Sequence, residues 1–283
     1  MAPLLTLDGV VAGYGAGDIL RGVDLTIEAG QVVCLIGPNG AGKSTVLKTI
    51  SGLLRPRLGQ VLLDGEPITR LSPRERLGRA VVHVPQDRSL FPAMTVWENV
   101  LMGAYILRDR GEVRRRADRC AELFPIVAER RQAAAGSLSG GEQKQVELAR
   151  SLMLDPRLIL LDEPSIGLDP RARRTVFESI SQLAADGRTV LLVEQNARSG
   201  LAVADRGAVL ESGVVRLTGS GADLLTDPEV ARLYLGGASQ LPESQVPEKH
   251  HSDAQPLDAP PADRPHFGAA RQSAPITTTE VSQ

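Results

Sequence analysis

A mixed α/β fold around a mainly parallel, helix-covered sheet is the architecture this chain predicts, and three features carry it. The first is Gly37-Pro38-Asn39-Gly40-Ala41-Gly42-Lys43-Ser44, which fits G-x-x-x-x-G-K-[S/T] at every fixed position, between an apolar run and a helix pattern. The second is the apolar run Leu158-Ile159-Leu160-Leu161, which closes on Asp162-Glu163. The third is a late run, Thr189-Val-Leu-Leu-Val-Glu194. Short continuous apolar runs read as strands buried on both faces, the habit of parallel sheets covered by helices.

The elements follow in order. Residues 4–36 are β-rich, with turn signals at Gly13–Gly17 and Ala29-Gly30. The strand Gln31–Ile36 feeds the Gly-rich loop, and the helix pattern Lys43–Ile50 leaves it and stops at Gly52. Residues 43–85 alternate helix and strand, including the run Gly59–Gly65 and a helix opened by Ser72-Pro73-Arg74-Glu75. That opening is a capping box with proline at the first helical position. Residues 87–155 are mainly helical, with a second capping box at Thr95–Glu98. Residues 156–205 return to strand–helix alternation, and 207–218 predict a hairpin turned at Ser212-Gly213. From residue 239 the composition shifts to Pro, Ser, Gln, Asp and Ala, with prolines at 242, 247, 256, 260, 261, 265 and 275. We expect an ordered domain over 1–238 and a disordered tail over 239–283. The pair His250-His251 in that tail is too sparse to read as a metal site. No internal repeat is present.

An apolar content of 42% over 283 residues is ample for a core, although aromatics make up only 3%, so aliphatic side chains must fill it. The net charge of −2 gives no global basic field, which argues against a nucleic-acid partner. The local basic run Arg108–Arg116 reads first as a solvated helix face. Two cysteines, Cys34 and Cys120, suggest no disulfide framework and fit a reducing compartment. Neither a signal-peptide pattern nor an apolar run of membrane-spanning length is seen, so a pore, if one is involved, is expected on another chain.

The loop carries the first chemistry. Successive backbone N–H groups and a helix N-terminus cradle phosphates. Lys43 is placed to reach the β- and γ-phosphates, the Ser44 hydroxyl to ligate Mg²⁺, and Thr45 follows in the nucleotide-binding set. Asp162, at the end of a buried strand, is placed to hold Mg²⁺, directly or through water. Glu163 is placed to orient or deprotonate an attacking water. Two acids after an apolar run also fit a solvated strand end; the upstream loop favours the catalytic reading.

A further stretch, Leu138-Ser139-Gly140-Gly141-Glu142-Gln143, lies far downstream of the loop and opens a helix with apolar positions Val146, Ala149, Leu152 and Met153 that stops at Asp155-Pro156. Ser139 and Glu142 also fit a capping box, and capping is compatible with anion binding at the same helix terminus. With this stretch beside the phosphate loop, the chain resembles the ATP-binding subunits of ABC transporters over residues 4 to about 237.

The resemblance implies a P-loop NTPase fold with a RecA-like core sheet, an antiparallel β subdomain and an inserted helical subdomain at about 87–155. It implies binding of ATP with Mg²⁺ and hydrolysis between two facing subunits. Ser139, Gly140, Gly141 and Glu142 would contact the γ-phosphate held by the opposing subunit. Tyr14 matches the aromatic that stacks on adenine. Gln86 matches a glutamine that contacts Mg²⁺ and senses the γ-phosphate. Ser165–Asp169 matches a loop crossing the dimer interface, where Asp169 also fits an N-cap before Pro170.

One position departs from the family. A histidine usually follows the late strand, but here that strand is followed by Gln195-Asn196, and the four histidines stand at 83, 250, 251 and 266. Gln195 can donate a hydrogen bond but cannot carry a proton charge. The Val193-Glu194-Gln195-Asn196 sequence, the segment Phe91–Asn99 and the ending Tyr234–Gly237 are similar to one of the two ATPases of branched-chain amino acid importers, although that branch often has an acid where Gln86 stands.

The resemblance thus implies a peripheral subunit on the cytoplasmic face of the cell membrane. Its partners would be integral membrane permease subunits, a second homologous ATPase or a second copy of itself and, indirectly, a solute-binding protein. The alternatives are an ABC subunit for another solute or lipid, or a soluble, pore-less ABC ATPase acting on ribosomes or DNA; relatives of the latter kind usually carry two fused cassettes or long coiled-coil insertions, and this chain has neither.

Overall fold

The computed structural model describes residues 3–87 and 89–234. The tail expected over 239–283 lies outside the described residues.

In chain order the elements are β1 (Leu5–Ala12), β2 (Leu20–Ile27), β3 (Val32–Ile36), α1 (Lys43–Ser51), β4 (Leu58–Leu63), β5 (Glu66–Pro67), α2 (Pro73–Gly78) and β6 (Val81–Val84). A helical stretch follows with α3 (Val96–Met102), α4 (Arg110–Leu123), α5 (Pro125–Glu129) and α6 (Gly140–Leu152). Then come β7 (Leu158–Asp162), α7 (Pro170–Ala185), β8 (Thr189–Glu194), α8 (Ala197–Ala202), β9 (Arg206–Glu211), β10 (Val214–Ser220), α9 (Gly221–Thr226) and α10 (Pro228–Tyr234). The sequence places the start of the strand before the phosphate loop one residue early. It also runs the helix after Ser139 too far: α6 ends at Leu152, and the chain turns through Asp155 at φ 54°.

Two sheets form. One is antiparallel, in the order β2-β1-β4-β5; the other has the order β10-β9-β3-β8-β7-β6, parallel from β9 to β6 with β10 as an antiparallel edge. The apolar runs alternate their side chains between two cores. Val32, Cys34 and Ile36 of β3, Ile159 and Leu161 of β7, and Val190 and Leu192 of β8 join one cluster with Val146, Val176 and Ile180. Val33, Leu35, Leu158, Leu160, Leu191 and Val193 join the other, with Leu5, Val46 and Ile50. A strand with a core on each face has no polar side to show, which is why the sequence reads as unbroken apolar runs. The helical stretch 96–152 shares the first cluster through Val96, Val100 and Val127, so it packs on the sheet and not as a separate body.

Three capping boxes form, at Ser72/Glu75, Thr95/Glu98 and Ser139/Glu142, and Asp169 caps α7 before Pro170. One buried cation fixes the path around α1. Arg76, only 1% exposed, donates to the carbonyls of Thr49, Ile50, Thr69 and Leu71. Two of these are end-of-helix carbonyls, where the dipole favours a cation. Burial draws the Arg76 guanidinium down to about 10.

Candidate active site

The site forms at the carboxyl ends of β3, β7 and β8, which lie side by side. In an open α/β sheet, ligands gather at that edge. The loop Gly37–Gly42 leaves β3 and turns into α1. Its backbone demands glycine at two points: a Cβ on Gly37 would stand 2.1 Å from the Leu210 carbonyl oxygen, and Gly42 has φ 107°. Gly37, Ala41, Gly42, Lys43 and Thr45 are buried, whereas Pro38, Asn39 and Gly40 are exposed at the rim and Ser44 is half-buried.

Lys43 Nζ donates to the Gly37 carbonyl at 2.8 Å and the Pro38 carbonyl at 3.2 Å, and lies 3.9 Å from Glu163 Oε1. Burial lowers its pKa, while Glu163, Asp162 and Glu194 hold it up. The cation is thus parked on loop carbonyls within reach of the phosphate cradle. Ser44 Oγ donates to Asp162 Oδ1 at 2.9 Å, joining α1 to β7. Gln86 Nε2 approaches Glu163 Oε2 at 3.4 Å. Lys43, Ser44, Gln86, Asp162 and Glu163, scattered over 121 positions of sequence, therefore meet at one sheet edge.

Both acids are raised above ordinary carboxylate values. For Asp162 burial is the main cause, opposed by the Ser44 hydrogen bond and by Lys48 and Lys43. For Glu163 burial leads again, opposed by Lys43 and reinforced by Asp162. Glu163 also sits at φ 45°, a left-handed conformation that costs a non-glycine residue on the order of 1–3 kcal/mol and clusters at functional sites. Its amide donates to the Val193 carbonyl at 2.9 Å, which holds the turn against β8.

The donor set suits Mg²⁺. The Ser44 hydroxyl and the Asp162 carboxylate, both hard oxygen donors, stand 2.9 Å apart, and the Gln86 amide lies against the neighbouring Glu163. Mg²⁺ takes few protein ligands and fills the rest of its shell with water and phosphate oxygens. Among the described residues no group of three or more His, Cys, Asp or Glu side chains is gathered for a metal.

Other expected residues fall around this centre. Tyr14 is 50% exposed beyond β1, and Lys48 Nζ lies over its ring, 5.8 Å from the centroid. Ser139, Gly140 and Glu142 make no hydrogen bond to the phosphate loop among the described residues; Ser139 N–H donates to Glu142 Oε2 at 2.7 Å instead. Gly140 borders a cavity of about 250 Å³ with Gln86 and Ile166–Leu168. Gly141 is buried, and a Cβ there would lie 2.7 Å from the Ala172 Cβ, so it sets the close approach of α6 and α7. Gln195 is exposed and borders a cavity of about 270 Å³ with Glu163, Arg173 and Glu194. His83 is far from a switch role: it lies in β6, and burial pulls it down to about 4. The basic face of α4 is largely paired internally, Arg115 and Arg116 with Glu112, and Arg119 with Asp186.

Glu194 escaped the sequence reading. It closes β8 as Asp162 closes β7, and the same signal, an acid at the end of an apolar run, marks it.

A phosphate cradle, an oxygen-rich metal position and a buried acid at one sheet edge define a P-loop NTPase. The family described as ABC transporter matches residues 20–166, and the chain belongs to the ATP-binding subunits of that family and is an ATPase. It is similar to the high-affinity branched-chain amino acid transport ATP-binding protein BraG of Pseudomonas aeruginosa, 42% identical over 234 residues, covering 83% of this chain and 100% of that one. It is also similar to the lipopolysaccharide export system ATP-binding protein LptB of Haemophilus influenzae, 36% identical, covering 82% of this chain and 97% of that one. The solved ADP conformation of MJ1267, an ATP-binding cassette of an ABC transporter, superposes with a TM-score of 0.77 at 29% identity, over 84% of this chain and 100% of that one. No helix among the described residues is long and apolar enough to cross a membrane.

Proposed function

We propose that this chain powers a membrane importer for branched-chain amino acids or related amides, bound peripherally to permease subunits at the cytoplasmic face of the membrane. The observation that carries the substrate class is the 42% identity along the whole of BraG, together with Gln195-Asn196 after β8. The competing reading is lipid or lipopolysaccharide export, favoured by the 36% identity to LptB.

In the proposed mechanism Lys43 and the amides of Gly37–Gly42 hold the β- and γ-phosphates, and Tyr14 stacks on the adenine. Ser44, Asp162 and Gln86 hold Mg²⁺, which when bound neutralises developing phosphate charge. Glu163 accepts the proton of the attacking water; its burial favours that task by raising its basicity. Ser139, Gly140, Gly141 and Glu142 contact the γ-phosphate of the facing subunit. Gln195 offers a neutral donor where relatives place an ionisable imidazole. A partner that keeps its histidine would give two unequal sites, so the working unit pairs this chain with a second homologous ATPase.

The test is purification of the intact complex from its native membrane, identification and counting of its chains, and uptake into vesicles. Leucine, isoleucine or valine uptake driven by ATP supports the reading; co-purification with a lipopolysaccharide transport apparatus overturns it. Two copies of this chain without a second ATPase sink the unequal-site arrangement.

A further inference from the structure

We propose that Glu194 is a positioning residue for ATP hydrolysis, locking the backbone that carries Glu163 to the backbone that carries Gln195. The ATPase activity belongs to the family; the roles of Glu163 and Gln195 rest on the reading above.

Glu194 is the last residue of β8 and is 1% exposed. Its carboxylate gathers three donors. Oε1 accepts the Ser165 N–H at 3.1 Å, and Oε2 accepts the Ser165 hydroxyl at 3.0 Å and the Asn196 N–H at 3.3 Å. Ser165 is itself buried, two residues beyond Glu163, and Asn196 is one residue beyond Gln195. In return, the Glu163 N–H donates to the Val193 carbonyl at 2.9 Å. The ends of β7 and β8 are therefore joined in both directions, once through backbone and once through the Glu194 side chain.

This junction explains two features. The first is the left-handed Glu163, whose strained backbone persists only where its surroundings over-determine it. The sequence Glu163-Pro164-Ser165 is anchored at one end by Val193 and at the other by Glu194. The second is a carboxylate in a place that burial makes costly. Burial is the leading influence raising Glu194, and Glu163 adds to it; the hydrogen bonds from Ser165 and Asn196 oppose them. Glu194 also acts on Lys43 and on the Cys34 thiol across β3. Only an acceptor-only group meets three converging donors.

Any shift of the loop that starts at Ser165 is thereby transmitted to Gln195. Both borders of the cavity shared by Glu163, Glu194 and Gln195 then move together. A switch with no charge of its own depends on where its backbone is held, and Glu194 holds the Asn196 N–H beside it.

The experiment uses the full chain with Mg·ATP. Glu194→Gln is nearly isosteric, yet in either amide orientation its NH₂ group faces a backbone N–H, the buried one of Ser165 or the part-buried one of Asn196. We expect kcat to fall about 10- to 100-fold, the scale of one unsatisfied buried donor. The KM for ATP and nucleotide affinity should stay within about twofold, because the phosphate loop leaves a different strand. Ser165→Ala should lower kcat less, and the double variant should fall short of the product of the two single effects, since both remove the same link. A kcat within twofold of wild type in Glu194→Gln overturns the proposal. So does a loss confined to KM, or a double variant whose effects simply multiply. Should Glu194→Gln fail to fold, Ser165→Ala decides, and an unchanged kcat there overturns the proposal. Glu163→Gln measured alongside separates the two readings: normal hydrolysis in that variant removes the base, while the Glu194 readout stands by itself.

Discussion

Glu163→Gln separates chemistry from stability, because the two should move in opposite directions. The change replaces one carboxylate oxygen with NH₂ and keeps the volume. Without nucleotide, the wild-type group lies 3.9 Å from Lys43 and 3.4 Å from the Gln86 amide. Two charges at that distance attract, but burial outweighs the attraction, since the Glu163 pKa is raised above the ordinary value of 4.5. The sign follows from linkage. A carboxyl whose folded pKa is raised favours folding below its unfolded pKa, and that benefit is lost as pH rises through the folded pKa. Above the folded pKa the wild type has lost it, so there a neutral glutamine should leave the nucleotide-free melting temperature unchanged or higher. The difference should shrink as pH falls toward the ordinary glutamate range.

Catalysis should fall by about 10²–10⁴, or about 2.7–5.4 kcal/mol in the barrier, the usual worth of a positioned base. Phosphate release measures kcat, a fluorescent nucleotide measures binding, and thermal melts at several pH values measure stability. Near-normal kcat refutes the base assignment. A loss of nucleotide affinity as large as the loss of kcat refutes the separation of roles. A melting temperature that drops sharply at pH 7 shows that the Lys43 contact outweighs burial.

Other outcomes follow from the same geometry. Lys43→Ala removes two loop hydrogen bonds and the cation facing Glu163, and should weaken nucleotide binding by about 10- to 100-fold, checked by titration; unchanged affinity contradicts the loop assignment. Arg76→Ala leaves four backbone carbonyls without their donor and should cost about 3 kcal/mol, a fall of about 6–12 °C in Tm, with nucleotide affinity retained. Gln195→His should change turnover and introduce a rate step near the ordinary histidine pKa of about 6.5, read from kcat against pH; an unchanged profile means the position matters little.

The fold was legible where one physical rule decides. The runs at 158–161 and 189–194 have a core on each face, so only buried parallel strands fit them, and that is how they lie. Capping boxes at Ser72, Thr95 and Ser139 marked helix starts because their hydrogen bonds are local. Lys43, Ser44 and Asp162 were legible because phosphate and metal chemistry fixes their spacing to strand ends. Other features depend on contacts that sequence does not order. The close packing of Gly141 on Ala172 is set by where α7 crosses α6. The left-handed turn at Glu163 and the clamp from Glu194 to Ser165 join segments 29 residues apart. Arg76 looks like any surface arginine until four carbonyls are seen to converge on it.

The titration behaviour of the site follows from its composition. No imidazole stands at the switch, and His83 is held near 4 by burial and by Lys48, so it is neutral throughout the physiological range. Asp162, Glu163 and Glu194 at the sheet edge are all raised, chiefly by burial; Asp87 adds to it for Asp162, Asp162 for Glu163 and Glu163 for Glu194. Among the residues placed at the chemistry, Gln86 and Gln195 carry side-chain amides that can reorient without changing charge, and Glu194 holds the backbone next to Gln195 through the Asn196 N–H. If Glu194 is the positioning residue we propose, activity should depend on this clamp and not on a proton at position 195.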